Sequence, residues 1–394
     1  MTTTFDPTAP LPAPPDPWWS STLPSPRPGP PFHMTDMIAA EPWLARRILG
    51  KQLTADSPAA SLAVAVRAAA AGREPIVVTG CGTSEHAALG IAAMLAEALG
   101  GRAARLVAAA QAFEEALAPQ PDGLLIAVSH EGGSAATNAS IEAARAAGAR
   151  TALITAGPAS PGAQLADVVV TTDEMDEGWC HTIGYVAPLV AGVAVAAHVT
   201  GRTIDPDAVG DLLGAGGSDT ASAEAMAAAL AQAKQILVIA SGVDRGSARE
   251  LVLKIEEGSW VPSAMRDLET FLHGHLPATD ESTGLVLILT ERDHRDERVK
   301  RARQALEAAG IVGIRVGAIL AEPAADAIAP DLTPIGRMVV PDDTSLPQSV
   351  AGLLAGATAL QVLSERIARA RGTNPDPIRH DDPRYAAAAA AIEG

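Results

Sequence analysis

Two glycine- and hydroxyl-rich segments of the chain have the residue types that hold a phosphate. Residues 76–90 read IVVTGCGTSEHAALG, and residues 124–155 read LLIAVSHEGGSAATNASIEAARAAGARTALIT. In each, an apolar run passes into a Gly/Ser/Thr loop and then into an Ala-rich stretch of helical character. Backbone N–H groups at such a helix start, together with short hydroxyls, converge on one point, which suits a phosphate. Gly80, Gly82, Gly132 and Gly133 taken alone also fit turns at strand ends. Ser129 and Ser134 beside them turn the balance toward binding. GCGTSE lacks the third glycine of a G-x-G-x-x-G dinucleotide fingerprint, so the pair of loops reads as a phosphosugar pocket.

A second constellation lies in ARELVLKIEEGS. Glu250, Lys254 and Glu257 stand at i, i+4 and i+7, on one face of a helix. A solvated salt-bridge ladder has the same spacing. Leu251, Val252, Leu253 and Ile255 interleave with the charges, however, and predict substantial burial. A buried glutamate has its pKa raised and serves as a proton-transfer group. His273 and His275 in ETFLHGHLPATD are too poorly supported by other ligand types to hold a metal, and substrate contact is the better reading of His273, with a surface histidine pair as the alternative. His181 reads as a helix-start or packing residue, with substrate contact as the alternative. Cys81 precedes a helix start but has no evident base partner, and reads as a small buried loop residue.

The composition sets limits on partners. The chain has 394 residues and a formal net charge of −17, with no basic run. That argues against nucleic acid, although surface charge screened within about 10 Å leaves a small anionic substrate compatible. Cys81 and Cys180 are the only cysteines, too few for a disulfide framework or a zinc site. The apolar run 183–199 contains Pro188 and His198 and predicts a buried helix, not a membrane span. No signal peptide is expected, which points to the cytoplasm.

The elements that must position these residues follow from periodicity. Eleven of the first 31 residues are proline, which predicts an irregular, loosely packed arm over 1–33, with Trp18 and Trp19 as possible anchors. Helices are predicted from Met34 and over 59–71, 84–99, 111–116, 135–147 and 183–199. Strands are predicted at 76–79, 105–107, 124–128, 151–154 and 168–171. The alternation predicts an α/β fold with a parallel sheet covered on both faces. Residues 201–220 read as a linker, and the second half repeats the grammar in ILVIASGVDRGSARELVLKIEE and LVLILTERDHRDERVKRARQALEAAGIVGIRV. The expected units are an arm (1–33), a first domain (34–205), a second domain (206–372) and a tail (373–394). Glu291 and Asp293 stand in the second-half loop where the first half has small residues. One phosphate site per chain is therefore expected, in the first half.

These motifs together resemble the double sugar-isomerase (SIS) family, as in the isomerase domains of glucosamine-fructose-6-phosphate aminotransferases. Cys81-Gly82-Thr83-Ser84 matches the CGTS loop, and Ser129 to Ser134 falls on the SQSGET loop. Glu250, Lys254 and Glu257 match the E-x-x-x-K-x-x-E helix, and His273-Gly274 matches the His-Gly that follows it. The resemblance covers residues from Met34 onward. It implies two flavodoxin-like halves in tandem, no cofactor and no metal. It further implies that Thr83, Ser129 and Ser134 bind phosphate, with Ser84, Thr137, Gly82 and Gly132 close by. Glu257 would move a proton between C1 and C2 of a hexose or hexosamine 6-phosphate. Glu250 and Lys254 would line the pocket, and His273 would open the sugar ring from the neighbouring subunit of a homodimer.

Departures from the family pattern are specific. Glu131 replaces a phosphate-binding serine, Ile183 replaces a lysine, and Ala388 stands where the tail carries a Schiff-base lysine. No cysteine nucleophile follows Met1, so a glutaminase activity is not expected. The implied activity is aldose–ketose isomerisation or isomerising deamination. A non-catalytic phosphosugar sensor is the alternative.

Overall fold

The computed structural model describes residues 5–15 and 27–393. The first half comprises α1 (His33–Gln52), α2 (Pro58–Gly72), β1 (Ile76–Gly80), α3 (Thr83–Leu99), β2 (Val107–Gln111) and α4 (Ala112–Leu117). It continues with β3 (Leu124–Val128), α5 (Ala135–Ala146), β4 (Arg150–Thr155), α6 (Pro161–Leu165), β5 (Val168–Thr171) and α7 (Ile183–Thr200). The second comprises α8 (Pro206–Gly216), α9 (Thr220–Leu230), β6 (Gln235–Ala240), α10 (Asp244–Ser259), β7 (Ser263–Asp267), α11 (Leu268–Thr270) and β8 (Thr283–Leu289). It ends with α12 (Arg295–Val312), β9 (Arg315–Ala321), α13 (Glu322–Ala327), β10 (Arg337–Val340), α14 (Gln348–Arg371) and α15 (Pro383–Glu393).

Each half forms a five-stranded sheet, ordered β2-β1-β3-β4-β5 and β10-β9-β8-β6-β7, with every neighbouring pair parallel. Read from the matching strand, the two orders are the same, so the duplication in the sequence is a duplication of topology. This is the flavodoxin-like winding, whose ligand crevice lies beyond the carboxyl ends of the first and third strands. In the first half that crevice is bounded by the loops after β1 and β3.

The strands form where parallel central strands need continuous apolar runs. β1 (IVVTG) and β3 (LLIAV) are buried at every position. Successive residues serve opposite faces. Ile76, Val78, Ile126 and Ile154 enter a core shared with Ile236, Val238, Ile288 and Ile319 of the second half. Val77, Leu125 and Leu153 face α5 on the other side. The halves are thus fused through one core into which α1, α7 and α14 pack. Apolar α7 is 83% buried within that core, as expected for a buried helix.

Three expectations are corrected. The strand placed at 105–107 begins at Val107 and runs to Gln111, with Ala103–Leu106 forming a short 3₁₀ turn. Three alanines make β2 a poor strand by propensity, and pairing of Val107 with Ile76 sets its register. The supposed linker is largely helical. Asp205 and Asp219 cap α8 and α9, and Val209, Leu212 and Leu213 are buried. Those caps and apolar residues outweigh the glycines once α1 and α14 supply surfaces to cover.

The arm is also not loose where it is described. Leu11 is buried, its N–H donates to Glu174 Oε2 at 2.8 Å, and the Met175 N–H donates to the Pro12 carbonyl at 3.0 Å. Glu174 is itself clamped by Arg47 at 2.6 and 2.7 Å. Trp18 and Trp19 lie outside the described residues.

Candidate functional site

The first-half loops close on themselves and on each other. Gly80 has no room for a side chain: a Cβ there would lie 2.7 Å from the Ser84 backbone, so β1 turns directly into α3. Gly82 follows with φ +55. After β3, the Ser129 hydroxyl accepts the Gly132 N–H at 3.1 Å and lies 3.5 Å from the Ser134 hydroxyl. The Thr137 hydroxyl reaches Cys81 Sγ at 3.7 Å, joining the two loops, and Thr137 is fully buried. Ser129, Thr83 and Ser84 are buried, whereas Ser134 is exposed at the mouth. Glu131 is half-buried in the same loop, and its carboxylate has no hydrogen-bond partner among the described residues.

Helix α10 of the second half delivers the charged groups to this crevice. Lys254 is fully buried, with Nζ 2.6 Å from Glu257 Oε2 and 3.6 Å from Glu250 Oε1. Glu250 also meets His86 Nδ1 at 2.7 Å and the Thr83 hydroxyl at 3.4 Å. The predicted helix face is therefore real, and it is buried against α3. Burial raises the Glu257 carboxyl above its ordinary value, opposed by the Lys254 ammonium. Burial would lower Lys254, but Glu257 and Glu250 outweigh it and hold the ammonium above the usual lysine range. Cys180, buried beside Glu257, has its thiol pushed well up by burial. Glu257 keeps 23% of its side chain open, which makes it the accessible member of the trio.

Sequence reasoning missed two residues of this assembly. His86 lies one turn beyond Thr83 on α3, and that spacing was its only signal. Asp176 lies in the segment before α7. Its carboxylate accepts the N–H groups of Thr182, Ile183 and Gly184 at 3.0, 3.1 and 2.8 Å, capping α7. Its own N–H donates to His130 Nε2 at 3.2 Å, tying α7 to the phosphate-type loop.

His273 is not brought to this cluster within the chain. Its side chain is 69% exposed, in a kinked turn with non-helical backbone at His273 and Gly274, and Nε2 is 2.7 Å from Glu269 Oε1. Ala388 lies exposed on α15. Among the described residues no cluster of His, Cys, Asp or Glu could hold a metal.

The equivalent loops of the second half are filled from within. Asp244, at the start of α10, accepts the Thr290 and Glu291 N–H groups at 2.7 and 3.1 Å, and burial raises its carboxyl to about 6. Glu291 accepts the Val243 N–H at 2.8 Å and the Gln348 amide at 2.6 Å. The chain's own carboxylates thus sit where the first half has open donors. Asp293, expected to share this role, points outward with 60% of its side chain exposed, and Asp244 takes its place.

Comparison with known proteins bears on the family and the fold. A family model for the SIS domain matches residues 71–198 and 229–317, more than half of the chain. The chain belongs to the SIS domain family. The curated glutamine–fructose-6-phosphate aminotransferase (isomerizing) of Zymomonas mobilis subsp. mobilis is 26% identical over 230 residues, covering 54% of this chain and 37% of that protein. The SIS chain thus spans well under half of that relative. Among solved structures, the C-terminal domain of glucosamine-fructose-6-phosphate aminotransferase from Francisella tularensis superposes with TM-score 0.73 at 17% identity, covering 90% of this chain and all of that one. Tagatose-6-phosphate ketose/aldose isomerase from Escherichia coli gives 0.69 at 18% identity, covering 91% and 98%. Glucosamine-6-phosphate deaminase from Thermotoga maritima gives 0.63 at 17% identity, covering 87% and 96%. At these identities the structural likeness establishes the fold, two SIS halves in tandem.

Proposed function

We propose that this SIS protein is an enzyme that moves a proton between C1 and C2 of a hexose or hexosamine 6-phosphate, by isomerisation or isomerising deamination. One observation carries the reading. Glu257 stands partly open beside the buried Lys254, on a helix whose Glu250 contacts the first-half loop through Thr83. A base and a hydroxyl-lined anion cradle thereby share one crevice. A sensor would need the cradle and not the base.

In this mechanism Thr83, Ser129 and Ser134, with the N–H groups near Gly82 and Gly132, hold the phosphate, while Ser84 and Thr137 shape the loops. Glu257 takes the C2 proton of the open-chain aldose. The C–H electron pair forms C1=C2 and the carbonyl pair moves onto O1. Return of the proton to C1, with the O2 proton passing to O1, leaves the ketose. With an amino group at C2, the same transfer leaves a C2 imine, which water hydrolyses to the ketone and ammonia. Lys254 and Glu250 hold Glu257 in place. We further propose a homodimer in which His273, exposed on each chain, opens the sugar ring in the partner's crevice.

The test is solvent deuterium incorporation at C2 of glucose 6-phosphate and glucosamine 6-phosphate. Glu257→Gln preserves shape and hydrogen bonding, and loss of a general base is expected to slow exchange by about 10²–10⁴-fold while binding survives. A parent protein that binds these compounds and exchanges neither is a sensor. Equal rates in parent and variant would remove Glu257 as the base.

A further inference from the structure

We propose that His181 is a further catalytic residue of this crevice, its imidazole N–H donating to the substrate oxygen that becomes negative as the C2 proton leaves. This rests on the proton-transfer reading above.

His181 stands where three parts of the site converge. It follows Cys180, the neighbour of Glu257, and immediately precedes the Asp176-capped start of α7. Its ring centroid lies 5.0 Å from that of His130, in the loop after β3, at an interplanar angle of 56°. Gly184 leaves the space for this pair: a Cβ there would come within 3.2 Å of both His130 Cγ and His181 Cβ. The charged and titratable groups facing the ring are Asp176 before α7, His130 after β3, and Lys254 and Glu250 on α10.

The two histidines are not equivalent. His130 Nε2 is engaged by the Asp176 N–H, whereas neither ring nitrogen of His181 has a hydrogen-bond partner among the described residues. His181 is only partly buried, so its nitrogens are available to a ligand. Lys254 is already committed to two carboxylates, which leaves His181, whose ring feels both Lys254 and Glu250, as an uncommitted donor beside them. Burial, aided by His130 and Lys254 against the pull of Asp176, lowers the ring to about 4. The imidazole is therefore neutral near pH 7. It presents a fixed N–H donor without placing a second cation beside Lys254, the arrangement in which a neutral histidine polarises a carbonyl.

His181→Leu and His181→Asn test this in the full chain, with the same C2 exchange assay on glucose 6-phosphate and glucosamine 6-phosphate. Loss of one donor to a developing oxyanion is expected to lower kcat by about 10²–10³-fold for the Leu variant. KM should stay within about threefold, because the donor acts mainly in the transition state. Asn, which retains an N–H, should recover part of the rate, and thermal melts of both variants should match the parent. Parent kcat should show no ionisation between pH 5 and 8 that is lost in the Asn variant. Equal kcat in the Leu variant, or an effect confined to KM, overturns the assignment while leaving the proton-transfer reading intact. Absence of exchange in the parent overturns both.

Discussion

Replacing Lys254 with methionine tests whether the Glu250–Lys254–Glu257 trio is held as the structure has it. The ammonium is fully buried, 2.6 Å from Glu257 and 3.6 Å from the equally buried Glu250. At an effective dielectric near 20 these contacts amount to roughly 5–6 kcal/mol each, before the desolvation of the three ions is subtracted. Methionine keeps the length of the side chain and removes the charge, leaving Glu250 with His86 and the Thr83 hydroxyl and taking away the ammonium that Glu257 meets. Breaking a buried ion pair in this way costs about 3–5 kcal/mol.

The loss must depend on pH in a definite sense. Without Lys254 the Glu257 carboxyl, already raised by burial, loses the ammonium that opposes that rise and moves further above its ordinary 4.5. An acid raised on folding weakens the fold as pH climbs above its unfolded value, and the penalty vanishes below it. Urea titrations followed by tryptophan fluorescence should therefore show a large loss at pH 8 that shrinks toward pH 5. Adding Glu250→Gln to Lys254→Met should recover part of the loss at pH 8. A Lys254→Met protein that unfolds with the parent at pH 8, or whose loss is the same at pH 5, would refute the buried trio and with it the placement of Glu257.

The phosphate cradle should fail when its hydroxyls are removed: Ser129→Ala with Ser134→Ala is expected to abolish the thermal shift given by sugar phosphates while leaving the unliganded melt unchanged. Calorimetry on the parent should find one sugar phosphate per chain, because Asp244 and Glu291 occupy the second-half loops; two equivalents would refute that. Glu41 of α1 is fully buried against α14, and burial raises its carboxyl well above 4.5 despite a hydrogen bond from the Thr358 hydroxyl at 3.2 Å. Its ionised form weakens the fold above the unfolded pKa, so Glu41→Gln should stabilise by about 1–3 kcal/mol at pH 8 and by little at pH 4. A variant less stable than the parent at pH 8 would show that the carboxylate is needed as such.

Much of the architecture was legible locally. β1 and β3 are unbroken apolar runs because central parallel strands are buried on both faces, and the loops after them carry the glycines and hydroxyls that mark the crevice. Glu250, Lys254 and Glu257 declared a common face because helical periodicity is a property of the chain itself. What stayed hidden depended on partners distant in sequence. Residues 201–220 looked like a linker because the surfaces of α1 and α14 that bury their helices are more than a hundred residues away. His86 and Asp176 became site residues only when Glu250 and His130 came within hydrogen-bonding distance of them. In the second half, the acidic residues signalled a closed anion site, but folding chose Asp244 and Glu291 as its occupants and turned Asp293 outward. His181 shows the division most clearly. Its sequence neighbours favoured packing over chemistry, and only the crowding of His130, Asp176 and α10 around one imidazole decided its charge and its freedom to meet a ligand. Periodicity and turn chemistry are written residue by residue, whereas burial and the fields of distant charges exist only once the halves have closed on a shared core.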